Sequence, residues 1–100
     1  MNSMTTVSIS RTDSGYSVSL ADWGPDLSGR TLGGSIREEV VDLAPEVLFD
    51  CAGVESMSPS FADEVFGKLA SSDKRPHINV VNANPAVLSA IKFAVAERTR

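Results

Sequence analysis

One hundred residues with 42% apolar content, 22% charged content and a net charge of −4 describe an ordinary globular chain of one-domain length. The acidic balance argues against a nucleic-acid binder or a protein of anionic membrane surfaces, both of which rely on basic patches. No apolar run approaches the roughly 20 residues that span a bilayer.

The opening MNSMTTVSISRTDSG lacks the charged-then-apolar order of a signal peptide. The sole cysteine, Cys51, and the sole histidine, His77, make neither an internal disulfide nor a structural zinc site. A reducing cytoplasmic setting is expected, without metal or other cofactor.

Val7 and Ile9, then Tyr16, Val18 and Leu20, alternate with polar residues. That period predicts two short strands joined at Asp13-Ser14-Gly15. The turn formers of ADWGPDLSG predict a loop, with Trp23 as a lid over the core edge. Ser35-Ile36-Arg37-Glu38 has the pattern of a capping box, and Ile36, Val40 and Leu43 share one helical face. Leu32 extends the stripe backwards, although Gly33-Gly34 costs about 2 kcal/mol in a helix interior relative to alanine. The helix is placed from near Ser28 to Pro45.

Val47-Leu48-Phe49 and Cys51-Ala52 form a nearly continuous apolar run, which predicts a strand covered on both faces, with Asp50 near its end. Gly53 turns the chain out. Phe61 to Leu69 has helical spacing, and His77 to Val81 reads as another buried strand after Arg75-Pro76. Asn84 caps a last helix with Pro85 at its first position and Val87, Leu88, Ile91, Ala94 and Val95 toward the core. The tail ERTR is exposed. The order β-β-α-β-α-β-α implies an α/β domain over residues 1–100, core about 5–96. It contains one mixed sheet of about four strands and three helices, with right-handed parallel crossovers.

The junction from Glu46 to Ala70 is the candidate site. Pro59 suits the first helical position and makes Ser58 the N-cap; Ser60 with Asp63 is a competing capping register. At 100° per residue, Phe61, Ala62, Val65, Phe66 and Leu69 fall in an arc of about 140°. Ser60, Asp63, Glu64 and Gly67 occupy the opposite, solvent-facing arc. Asp63 and Glu64 suit the positive end of the helix dipole, and Glu64 can pair with Lys68 at i,i+4. Gly67 on an exposed face costs roughly 1 kcal/mol against alanine, a cost that close approach of a partner backbone would justify. Catalysis is not expected: His77 begins a strand, no glycine-rich phosphate loop follows a strand, and Asp50 lacks a second carboxylate at a neighbouring strand end.

The run VLFDCAGVESMSPSFADEVFGKL resembles the STAS-like bacterial domains of unknown function, marked by a buried strand ending in Asp and a Ser-x-Ser-Phe-Ala-Asp-Glu helix start. The resemblance covers about residues 28–95, and its specific part is Ser58 to Gly67. It extends to STAS domains, the fold of bacterial anti-sigma-factor antagonists. In those domains this junction carries a serine phosphorylated by a kinase of the GHKL ATPase class. Antagonists typically read Met-Asp-Ser-Ser-Gly; matched on Met57, Ser58 stands for the aspartate, Pro59 for the phosphorylated serine, Ser60 for the next serine and Phe61 for the glycine.

The resemblance implies a regulatory protein-interaction module that binds a GHKL-type kinase or ATPase through Ser58, Ser60, Asp63, Glu64 and Gly67. Ser60, and after it Ser58, are the candidate phosphoacceptors. The alternative is a small-molecule or nucleotide module using Asp50, Asn82 and Asn84 near Ser58 at one sheet end. A monomer is expected, or a weak homodimer through the open edge near Val7–Ile9.

Overall fold

The computed structural model describes residues 9–11, 15–41, 46–72 and 77–99. The expectations placed on Val7, Asp13, Ser14, Leu43, Pro45, Arg75, Pro76 and Arg100 lie outside the described residues.

Strands β1 (Ile9–Arg11) and β2 (Tyr16–Ser19) pair antiparallel, as so short a connection between them requires. Strand β4 (Glu46–Asp50) adds parallel to β2, and β6 (His77–Val81) adds parallel to β4, giving a 4-stranded mixed sheet in the order β1-β2-β4-β6. Between these strands run α1 (Arg30–Val40) and the second helix, and α4 (Pro85–Thr99) follows β6. The second helix is continuous in three parts, α2 (Pro59–Ala62), a π-helical turn (Asp63–Gly67) and α3 (Lys68–Ser71). This is the expected order of strands and helices.

The loop after β2 holds structure that turn residues alone did not predict. Leu20–Trp23 is a 3-10 turn, and β3 (Asp26–Leu27) pairs parallel with β5 (Ser56–Met57) in a separate 2-stranded sheet. The sheet is therefore not single. Two-residue strands offer no periodicity to read, so their pairing follows from tertiary proximity.

Cross-strand register puts Val18, Phe49 and Val80 in one row and Val47 beside Ile78 in the next. Residues paired across strands share a face. This face meets Ile36, Val40, Phe61, Phe66, Leu69, Val87 and Ile91 in one core. Phe49 and Phe66 meet edge-on with ring centroids 4.8 Å apart. Trp23 is half-buried against the core edge, as a lid would be.

The opposite face carries Ser17, Ser19, Leu48, Asn79 and Val81, all half-buried or exposed. Strands β4 and β6 are thus covered on one face, not two. Leu48 lengthened the apolar run without entering the core.

The helix starts follow local chemistry. Asn84 accepts from the Val87 amide at 2.8 Å, and Pro85 opens α4, as the sequence indicates. Helix α1 begins at Arg30 with Gly29 as its cap, at φ 90° in the left-handed region that favours glycine. Ser35 lies inside α1 and bonds back to the Leu32 carbonyl, so its capping-box pattern does not mark a helix start.

Candidate functional site

Ser58 stands where three elements meet. The pairing of β3 with β5 brings the chain to it, and its amide donates to the Leu27 carbonyl at 2.9 Å. Its Oγ accepts from the Phe61 amide at 3.1 Å, the expected N-cap bond. The same Oγ accepts from the Gly29 amide at 3.3 Å, so one hydroxyl serves the starts of both α1 and the second helix. Ser60 Oγ lies 3.2 Å from Ser58 Oγ. Ser58 and Ser60 are both half-buried, and Pro59 between them is exposed.

The acidic pair behind this corner departs from the solvent-facing arc expected of it. Glu64 is 7% exposed and Gly67 is buried; Asp63 is half-buried. The physical reason is a helix flanked on both sides. Helix α1 packs along the face of Glu64, and α4 packs along the face of Asp63 and Gly67. A wheel that assumes one buried arc fails for such a helix, and its 100° step also fails through the π-helical turn.

Four cations hold the two carboxylates. Glu64 Oε2 accepts from Lys68 Nζ at 3.0 Å and from Arg37 at 3.1 Å, and Oε1 accepts from Arg30 at 3.1 Å. Arg37 Nε also donates to the Glu64 carbonyl at 3.0 Å. Asp63 takes two bonds of 2.8 Å from Arg98 of α4 and one of 2.9 Å from Arg30. Of these pairs only Glu64–Lys68 was legible as i,i+4 spacing.

The hydrogen bond from Lys68, with Arg30 and Arg37 behind it, lowers the Glu64 carboxyl to about 2. The Arg98 bond, followed by that from Arg30, holds Asp63 well below the usual carboxylate range. Both arginines are raised in turn by these bonds.

The glycines permit this packing. A Cβ on Gly33 would sit 2.9 Å from Glu64 Cβ and 3.3 Å from the Phe61 carbonyl oxygen. A Cβ on Gly67 would meet the Asp63 carboxylate at 2.7 Å, Arg98 Cγ at 3.0 Å and the Ala94 carbonyl at 3.1 Å. The backbone that approaches Gly67 belongs to α4 of the same chain. Sequence reading missed Arg30, Arg37 and Arg98. The stripe Arg30–Gly33–Gly34–Arg37 was the available signal: small residues between two cations at one helical face, facing a paired Asp-Glu.

Asp50, Asn82 and Asn84 do gather at the carboxyl ends of β4 and β6, as parallel strands require. Their polar groups are engaged locally. Asp50 Oδ1 accepts from Asn82 and from the Ala52 amide, each at 2.9 Å, and these bonds lower its pKa. Asn82 itself sits at φ 60°, a left-handed conformation that asparagine tolerates. Asn84 caps α4 and donates to the Val54 and Glu55 carbonyls.

His77 pairs with Glu46 at the other end of the sheet, a strand length of roughly 13 Å from the end that leads to Ser58. Cys51 is buried, with its thiol pushed up to about 11 by burial and then by the Asp50 charge. Among the described residues no group of three or more His, Cys, Asp or Glu side chains is arranged to hold a metal ion. No helix among them is long and apolar enough to cross a membrane.

A family model described as a STAS-like domain of unknown function (DUF4325) matches residues 31–88. The chain belongs to this STAS-like family. The match runs from α1 through the Ser58 junction to the first turn of α4, so it includes Arg37, Asp63, Glu64 and Lys68 of the charge cluster, while Arg30 and Arg98 lie outside it. Searches of curated proteins and of solved structures returned no match.

Proposed function

We propose that this STAS-like domain is a non-catalytic regulatory module that binds a protein partner through the corner at Ser58, Pro59 and Ser60, with Ser60 as the phosphoacceptor. The observation that carries the reading is the Ser58–Ser60 hydroxyl pair beside the joined starts of two helices. The positive dipole ends of α1 and the second helix both favour a phosphate there.

The neighbouring carboxylates argue less against a phosphate than their sequence position suggests. Asp63 and Glu64 already bind Arg30, Arg37, Lys68 and Arg98, so the cluster has two more cations than anions. Arg30, with 56% of its side chain exposed, is the most exposed of the four cations and the one offered to a partner's acidic group or to a phosphate. The likeness to anti-sigma-factor antagonists supports a GHKL-type kinase as the partner, acting in the cytoplasm. Glu64 and Gly67 support the corner from within and do not touch the partner; Asp63 does so only through Arg30.

The test is phosphosite mass spectrometry after co-expression with the neighbouring genes, with pull-downs of wild type, Ser60→Ala and Ser60→Asp. One phosphate on Ser60, with partner capture kept by Ser60→Ala and lost by Ser60→Asp, is expected. No phosphate and equal capture by all three would overturn the reading.

A further inference from the structure

The far edge of the sheet carries a second surface. Strand β6 is terminal among the described strands. The Val81 carbonyl accepts from the Cys51 amide at 2.9 Å, so the peptide groups of Val81, Asn79 and His77 face β4. By alternation, those of Ile78 and Val80 face outward. They have no backbone partner among the described residues.

The side chains of Ile78 and Val80 point to the helix face and form one wall of an open groove of about 830 Å³. Leu88, Ile91 and Val95 of α4 form the other wall. Natural edges are blunted by charge, proline or a bulge. The stretch His77-Ile78-Asn79-Val80-Val81 has no lysine, carboxylate or proline, and its register with β4 is unbroken. The titratable groups that line the groove are Lys92 and His77, with no carboxylate among the lining residues. This setting has the opposite sign to the chain's net charge of −4.

We propose that the β6 edge and its groove take an extended acidic–apolar peptide segment of another protein as an added strand. Free N–H and C=O groups call for a peptide backbone, which an acyl chain cannot supply. Alternate side chains of the added strand enter the groove, two apolar ones beside Ile78 and Val80 and a carboxylate at Lys92. A second copy of this chain fits less well, because its own β6 would bring no carboxylate for Lys92. This surface is separate from Ser60 and goes beyond the regulatory reading.

The test is fluorescence anisotropy with short labelled peptides whose groove-facing positions are two leucines and a glutamate, separated by serines, made in both strand directions. Binding of one direction is expected. It should weaken about tenfold or more with lysine in place of glutamate, with alternate N-methylation, or with Lys92→Glu, an exposed site that leaves the core intact. Ser60→Asp should leave the affinity unchanged, which separates this surface from the corner. No binding, equal binding of the N-methylated peptide, or an unchanged preference in Lys92→Glu overturns the proposal. So does sedimentation showing a β6-mediated dimer that excludes the peptide.

Discussion

Two adjacent glycines in α1 look alike in sequence and differ in what surrounds them. A Cβ on Gly34 meets Glu64 Oε2 at 3.4 Å, an ordinary contact with a side-chain tip. On Gly33 it meets Glu64 Cβ at 2.9 Å, close to backbone that cannot move without shifting the second helix. Alanine is favoured over glycine in a helix interior by about 1 kcal/mol, whereas overpacking a tight contact costs about 1–3 kcal/mol. Gly34→Ala should therefore be neutral or gain up to about 1 kcal/mol. Gly33→Ala should lose up to about 2 kcal/mol, because the clash outweighs propensity. Urea unfolding midpoints of the two variants check this: movement in opposite directions is expected, and a stabilised Gly33→Ala would mean that the helices separate freely there. Ser58 works by the same logic of shared space, one hydroxyl accepting from Phe61 and Gly29. Ser58→Ala should cost about 1–2 kcal/mol, in the range of a lost cap, and Ser60→Ala much less. Comparable losses for both in thermal unfolding would show that Ser60 shares the capping role.

At the level of elements, the second helix is a buried strut between α1 and α4, and its charge pairs set how the three respond to acid. The folded Glu64 carboxyl titrates near 2, below the ordinary glutamate value of 4.5, and Asp63 is also depressed. A depressed folded pKa contributes stability above the unfolded pKa and loses it as pH falls toward the folded one. The protein should thus lose stability from about pH 4.5 down to about 2. Glu64→Gln should be less stable at pH 7 and show a shallower fall in that window. Urea midpoints from pH 7 to pH 2.5 test both points; parallel curves for wild type and variant would remove Glu64 from the acid response. How legible this was depends on the kind of signal. The strand of Val47 and Phe49, the cap at Asn84 and the Ser58-Pro59 helix start were read correctly, because each rests on neighbours along the chain. The exposure of Glu64 and Gly67, the coverage of β4 and the β3–β5 pair were not, because each depends on which elements become neighbours in space. Arg98 is 35 residues from Asp63 and left no local mark.

Across the whole molecule, one core serves both the corner at Ser58 and the groove at β6, and Cys51 reports on it. Cys51 follows β4, is 1% exposed, and its amide holds Val81 at the end of the edge strand. Its thiol, raised to about 11, is scarcely ionised at pH 8, whereas an unfolded cysteine near 8.5 is about a quarter ionised. Iodoacetamide should therefore label the native protein at least about a hundredfold more slowly than the urea-unfolded chain. The urea dependence of the native rate then distinguishes two modes of opening. If β6 peels from β4 as a local event, labelling proceeds with almost no urea dependence, since little surface is exposed. If Cys51 opens only with the core, the slope equals the equilibrium m-value. Phe49, which precedes Cys51, packs on Phe66 of the central helix, so the strand end is tied to the helical layer as well as to β6. That coupling favours the global slope. A flat dependence would show instead that the β6 edge moves independently, and the peptide affinity of that edge would then include the cost of ordering it.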